Sequence, residues 1–139
     1  ESGKIAAVTG ARGAIGELIV QMLLEAGWDV RVLTRSNHLS NSSQLTVVTS
    51  DINDENGLRN LLEGVNAIFH CAAELTNEKK MYSTNVEGTR KLIKLVANTK
   101  ASYFCHLSSV GVIGPTSIPY VTESRTTQLV NIFLFTCGF

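Results

Sequence analysis

Thr9-Gly10-Ala11-Arg12-Gly13-Ala14-Ile15-Gly16 lies where the hydrophobic rhythm of the chain changes. Before it, Lys4 to Thr9 (KIAAVT) is a short apolar run that stops at Gly10, the pattern of a buried parallel strand. After it, Ile15, Leu18, Ile19, Met22 and Leu23 recur at helical spacing, while Glu17, Gln21 and Glu25 mark the opposite face. Gly27 then fits a left-handed helix cap. A glycine-rich turn between a strand and an amphipathic helix presents the unpaired N–H groups and the positive dipole end of a helix start. The doubly charged pyrophosphate of a dinucleotide is the ligand such a turn suits. In this reading Gly10 permits the tight turn, Gly13 keeps a Cβ away from the phosphates, and Gly16 lets the helix pack close to the sheet. The loop as a whole, Arg12, Ala14 and Ile15 included, would hold the pyrophosphate. The plainer alternative is a tight turn that uses small residues for packing. The strand before and the helix after are the context that favours binding.

Outward from the loop, strand and helix patterns keep alternating. Asp29 to Thr34 (DVRVLT) reads as a second strand, followed by a polar loop rich in Ser and Asn from Arg35 to Gln44. Leu45 to Thr49 is a third strand. Asp51 to Gly64 reads as a short helix with Leu58, Leu61 and Leu62 inward, and Asn66 to His70 is a fourth strand. A longer helix is expected from about residue 77 to 98, with Thr89, Leu92, Ile93 and Val96 as its core stripe and Arg90, Lys91 and Lys94 outward. Ser102 to Leu107 is a fifth strand. The pattern implies a Rossmann-type, doubly wound parallel sheet with helices on both faces and strand order 3-2-1-4-5. The rhythm breaks near Thr126, so residues 1–125 are expected to form the nucleotide-binding domain and 126–139, an uncharged apolar tail, to stand apart from it.

The bulk composition excludes several classes. With 139 residues, 44% hydrophobic and 17% charged, the chain suits one globular domain with a real core. Twelve Lys and Arg balance twelve Asp and Glu, which argues against nucleic acid or anionic membrane as a partner. No apolar run is long enough to span a bilayer, which takes ~18 residues or more. The start carries neither a signal-peptide h-region nor an initiator Met, which implies a processed or cut terminus. Cys71, Cys105 and Cys137 do not form a metal-ligand spacing, so no metal site is expected, and reduced thiols in a cytoplasmic protein are the plainer reading.

The glycine spacing is G-x-x-G-x-x-G, and here the chain resembles the short-chain dehydrogenase/reductase superfamily. Four further segments resemble its extended branch of epimerases, dehydratases, hydroxysteroid dehydrogenases and dihydroflavonol-type reductases. They are Asp51-Ile52-Asn53-Asp54, His70-Cys71-Ala72-Ala73, Asn85-Val86-Glu87-Gly88-Thr89 and Leu107-Ser108-Ser109-Val110-Gly111-Val112-Ile113-Gly114. The resemblance covers about residues 3 to 123 and implies the N-terminal part of such an enzyme, acting at a carbinol or carbonyl carbon of a small-molecule substrate.

The resemblance also assigns roles. Asp51 would accept from the adenine amino group, with the Ile52 backbone beside the ring; the alternative is a helix N-cap. Cys71, Ala72 and Ala73 would let the ribose and nicotinamide side lie close to the backbone. Asn85 would order the backbone near the active site, or merely bond its own helix. Ser109, with Ser108 as the alternative, would donate to the substrate oxygen. His70 is expected to be a strand residue with a satisfied hydrogen bond and no chemistry. The resemblance further calls for a catalytic Tyr followed four residues later by Lys. Tyr82, Tyr103 and Tyr120 are followed at that distance by Val86, Leu107 and Ser124, and the final Lys is Lys100, so the pair is absent. This implies an enzyme cut before its sixth strand, or alternatively a non-catalytic dinucleotide sensor or scaffold. An interaction fragment without cofactor is disfavoured by the intact glycine loop. The long helix over 77–98 is also a candidate homodimer surface.

Cofactor preference follows from the end of the second strand. An NAD site usually carries Asp or Glu there to bond the ribose 2′-OH. The sequence instead reads Leu33-Thr34-Arg35-Ser36. Arg35 can fork onto a 2′-phosphate, and Arg12 can approach it from the glycine loop. NADP(H) is therefore expected over NAD(H), which stays open as the second candidate.

Overall fold

The computed structural model describes residues 3–36, 39–109, 117, 120 and 122. Five parallel strands form one sheet in the order β3-β2-β1-β4-β5: β1 (Ile5–Thr9), β2 (Asp29–Thr34), β3 (Leu45–Thr49), β4 (Ala67–His70) and β5 (Tyr103–His106). The expected order holds. β1, IAAVT at the centre of the sheet, is a short apolar run without alternation, because both of its faces are covered. Ala6, Ala7 and Val8 are fully buried at its centre.

The two faces are built differently. On one, α2 (Glu55–Leu62) and α4 (Thr89–Val96) pack Leu58, Leu61, Leu62, Leu92 and Leu95 against Ala7, Leu33 and Ile68. The other carries α1 (Ala14–Glu25), whose Ile19, Val20, Leu23 and Leu24 meet Val8, Val30 and Val32. That stripe differs from the expected one. Ile15, Leu18 and Met22 are exposed, so the packed arc is rotated toward Val20 and Leu24. Among the described residues no helix joins β2 to β3, and Leu39, from the polar connection, packs on the same face as α1.

Two local features were not expected. The helix foreseen over 77–98 is three segments in series. They are a single turn α3 (Glu78–Met81), a π-helical stretch Tyr82–Gly88, and α4. Its deep stripe on α4 is Thr89, Leu92 and Leu95, with Ile93 and Val96 half-buried. The other feature is Arg31 on β2, whose Nη1 donates to the carbonyls of Asn60 (3.0 Å), Leu61 (3.2 Å) and Glu63 (2.7 Å). Those carbonyls end α2 and have no partner within the helix, so the guanidinium caps it from the neighbouring strand.

The sequence elements past Ser109, including the expected tail at 126–139, lie outside the described residues. Among the described residues, no helix is long and apolar enough to cross a membrane.

Candidate functional site

The carboxyl ends of β1, β2, β3 and β4 open on one cleft of about 440 Å³. Strand order explains its place. The chain runs from β1 to β2 and β3 on one side and then crosses back through α2 to place β4 on the other side of β1, which parts the loops and leaves a crevice. The glycine loop forms the floor.

Gly10 has φ +71°, a left-handed conformation that disfavours a side chain, and a Cβ there would stand 2.6 Å from the Ala72 nitrogen. Gly16 is buried in the first turn of α1, and a Cβ on it would overlap the Gly10 carbonyl oxygen. Both glycines are thus demanded by the protein's own packing. Gly13 is different. It has an ordinary extended conformation, φ −76° and ψ 157°, and an added Cβ would meet only the Gly10 oxygen at 3.4 Å. Neither strain nor crowding requires glycine there. It lines the cleft as the N-cap of α1, and no side chain caps that helix start. What the missing Cβ leaves is room above the first amides of a twelve-residue helix, a cradle with the shape and polarity for phosphate.

Arg12 and Arg35 line the end of the cleft over β2. Arg12 Nη1 donates to Ser36 Oγ at 2.8 Å, which ties the glycine loop to the residue after Arg35. Ser36 accepts backbone order in turn, its N–H donating to Thr34 Oγ1 at 3.3 Å. Asp51 and Ile52 follow β3 and line the same end. The N-cap role weighed for Asp51 falls instead to Asp54, whose side chain accepts from Asn56 N at 3.1 Å. Asp54 is held below the usual carboxylate range by the Ser50 hydroxyl first, then by the Asn56 amide. Asp51 Oδ1 accepts from Asn53 N at 2.8 Å, a local turn that leaves its carboxylate exposed at the cleft. Ile52 is buried under Gly88, where a Cβ would stand 2.6 Å from Ile52 Cγ2.

Cys71, Ala72, Ala73 and Glu74 form the wall over β4. Asn85, buried in the π-helical stretch, grips this wall with both amide atoms. Its Oδ1 accepts from Glu74 N at 2.7 Å, and its Nδ2 donates to Glu74 O at 2.9 Å. The Asn orders the loop after β4 as well as belonging to its helix. A π-helical turn is costly and recurs beside functional sites; here it brings Thr84 to the cleft and Asn85 to the loop. The Glu74 carboxylate accepts from Thr76 N at 3.1 Å and Asn77 N at 3.2 Å, and these bonds lower its pKa, with a smaller contribution from Arg35. The Cys71 thiol is pushed up, by burial first and by Cys105 second, so it is a poor nucleophile.

The cleft gathers Gly10, Arg12, Gly13, Arg35, Asp51, Ile52, Cys71, Ala72 and Ala73 from the residues singled out in the sequence. Ala14, Ile15 and Gly16 form the first turn of α1 next to the floor and are not among the lining residues, and Asn85 lies behind the wall. Ser108 and Ser109 follow β5 and do not line this cleft. Ser36, Ser50, Glu74 and Thr84 line it without having been singled out. Ser36 and Glu74 adjoin motif residues and could have been found by extending each motif one position.

A parallel sheet with a glycine turn, a free helix start and a cleft at the β1 switch point defines a Rossmann-type nucleotide-binding domain. The chain belongs to the NAD dependent epimerase/dehydratase family, which it matches over residues 6–132, and so to the extended short-chain dehydrogenase/reductases. It is 34% identical over 116 residues to the Dictyostelium discoideum sterol-4-alpha-carboxylate 3-dehydrogenase, decarboxylating; the match covers 76% of this chain and 35% of that protein. It is 31% identical over 139 residues to cinnamoyl-CoA reductase 2 of Arabidopsis thaliana, covering 92% of this chain and 40% of that one. The chain thus spans well under half the length of these relatives. Among solved structures, the Bordetella bronchiseptica enzyme WbmH in complex with NAD+ superposes with a TM-score of 0.81 at 22% identity, covering 91% of this chain and 45% of that one. A short-chain dehydrogenase/reductase superfamily protein of Agrobacterium tumefaciens with bound NAD gives 0.78 at 25% identity, covering 89% and 39%.

Proposed function

We propose that this chain is the cofactor-binding part of an NADP(H)-dependent oxidoreductase, epimerase or dehydratase that works at a carbinol or carbonyl carbon. The observation that carries the reading is Gly13: an uncapped helix start, opened by a glycine that the fold itself does not require, between two arginines and the small residues after β4. The first amides of α1 would hold the pyrophosphate. Asp51 would accept from the adenine amino group, and Arg35 and Arg12 would take the 2′-phosphate. Ala72 and Ala73 would leave space for the nicotinamide ribose. The nicotinamide, when bound, supplies or takes up hydride; Ser109 would donate to the substrate oxygen during that transfer. Family membership and the NAD-bound structural neighbours support a nicotinamide dinucleotide, and Arg35 at the β2 end supports NADP(H) within that class.

The sequence has no Tyr with a Lys four residues later. These 139 residues are therefore expected to bind cofactor and not to turn over substrate, since a positioned acid/base contributes ~10²–10⁴-fold. Fluorescence titration of NADPH and NADH against wild type and Gly13→Val tests the binding claim. Wild type is expected to bind, and the branched side chain to abolish it. Equal affinity in both proteins overturns the assignment. Dehydrogenase activity from the 139 residues alone would refute the expectation of no turnover.

A further inference from the structure

His70 ends β4, is completely buried, and does not line the cleft. Both ring nitrogens are engaged. Nδ1 lies 2.6 Å from Thr9 Oγ1 at the end of β1, and Nε2 lies 2.8 Å from Thr89 Oγ1 on α4. Thr9 Oγ1 also accepts from the Ala72 amide at 3.3 Å. One buried ring therefore joins the last residue before the glycine turn, the cleft wall over β4 and the helix behind the sheet. A buried imidazole with no free nitrogen and no opening to the cleft is neither a general base for substrate nor a ligand for a metal.

The proton count selects one tautomer. Thr9 has a single hydroxyl proton, and its oxygen already accepts from Ala72. With the ring proton on Nδ1, the Thr9 oxygen would face two donors, and its own proton would be left over. With the ring proton on Nε2, Thr9 donates to Nδ1, accepts from Ala72, and the ring donates to Thr89. The Thr89 hydroxyl proton is then free for the carbonyl one turn back, the usual acceptor for a helical Thr, whereas Thr9 ends a strand and has no such carbonyl for a proton left over on it. We propose that His70 is a positioning residue of the dinucleotide site: in its Nε2–H tautomer it fixes the Thr9 hydroxyl, which holds the Ala72 amide, and anchors both to α4 through Thr89. This rests on the dinucleotide reading above. The strand order β3-β2-β1-β4 puts Arg35 and Asp51 at one end of the cleft and Ala72 at the other. The relay therefore acts on the nicotinamide half of the ligand and leaves the adenosine half alone. The coupling is stiff, because the Ala72 nitrogen is packed where a Gly10 Cβ would otherwise sit.

Thr89 is the handle for the test, because it lies behind the sheet and does not line the cleft. Thr89→Val keeps the volume and strands the ring N–H; Thr89→Ser keeps the hydroxyl. Leaving one buried donor unpaired is expected to weaken NADPH binding about tenfold in Thr89→Val. Thr89→Ser is expected to bind within about twofold of wild type, and adenosine 2′,5′-bisphosphate to bind all three proteins alike. If Thr89→Val does not fold, Thr89→Cys, a weaker acceptor of similar size, is expected to show a smaller loss in the same direction. Heteronuclear NMR of the ring reads the tautomer directly, with Nε2–H expected at pH 6 in wild type. An Nδ1–H ring, or an imidazolium at that pH, overturns the relay. So does an equal loss for NADPH and the bisphosphate, or no loss for NADPH. If wild type binds neither ligand, the dinucleotide reading itself falls, and the positioning role with it.

Discussion

Gly13 and Gly16 stand three residues apart in one turn, and a methyl group added to each has a different consequence. At Gly16 the methyl would overlap the Gly10 carbonyl, so the backbone must move. Gly16→Ala is expected to cost about 1–3 kcal/mol, read as a lower Tm. At Gly13 the methyl would meet only the Gly10 oxygen, at 3.4 Å, and the fold accepts it at ~1 kcal/mol or less as an N-cap change. Gly13→Ala is therefore expected to keep its Tm and lose NADPH affinity. If the two substitutions behaved alike, the loop would be a packing turn only. The glycine triplet was legible in the sequence, but which glycine serves the ligand was not, because that depends on what each absent Cβ would touch. Arg35 is the other residue whose role separates cleanly. Its guanidinium lines the cleft where a carboxylate would bond a 2′-hydroxyl. Arg35→Asp is expected to reverse the ratio of dissociation constants for NADPH and NADH from NADPH-preferring to NADH-preferring. A wild type that prefers NADH, or a ratio unmoved by the substitution, would reduce Arg35 to a surface residue.

At the scale of elements, β1 was readable as a continuous apolar run and β2 by its alternation, and the strand order followed from alternation with helices. The segment after β4 was not. A helix pattern over 77–98 is present in the spacing of Thr89 and Leu92, yet nothing local marks the π-helical turn that sets Asn85 against Glu74. His70 was readable as a strand residue with a satisfied hydrogen bond, and it is one, but its partners were not readable. Its partners are 61 residues before it and 19 after it, and only the β1–β4 register Thr9↔His70 brings the first alongside. That junction has a measurable signature. Burial, and secondarily the stacked His106 at 4.9 Å, lower the His70 pKa from 6.5 to about 3. Above pH 6.5 the ring is neutral in folded and unfolded chains alike, and the folded form keeps its full stability. Below it the unfolded chain takes up a proton that the folded ring refuses, so stability falls until about pH 3. The slope of this contribution is about 1.4 kcal/mol per pH unit. Carboxylates with lowered pKa values, Asp54 and Glu74, also lose stability in acid, so the contribution is read as a difference. Urea unfolding between pH 6 and pH 4.5 should show a shallower fall in His70→Gln than in wild type. Parallel slopes would mean that the ring is protonated, or reached by water, in the folded protein.

For the whole molecule, the unequal covering of the two sheet faces decides how copies of the chain should meet. The face under α2 and α4 is closed, and the outward side of α4 carries Arg90, Lys91 and Lys94. With the exposed Glu78 and Glu87 of the same segment, these cations make residues 77–98 a charged surface, so a homodimer there would have to pair charges rather than bury apolar groups. The other face has α1 as its one helix among the described residues, and α1 packs on β1 and β2. Leu18 and Met22 on α1 are 55% and 59% exposed, and Tyr103 on β5, in ring contact with Phe69, is 54% exposed. Large apolar side chains left open in this way favour self-association. Sedimentation of the 139-residue chain is therefore expected to show concentration-dependent association. Leu18→Glu combined with Met22→Lys should suppress it, because it places charge on the open face without touching Val20 or Leu24, which carry the packing of α1. Arg90→Glu with Lys94→Glu, on the closed side, should leave it unchanged. The reverse outcome would move the contact to the helix over 77–98. A monomer at all concentrations, indifferent to both pairs of substitutions, would mean that the α1 face is already covered.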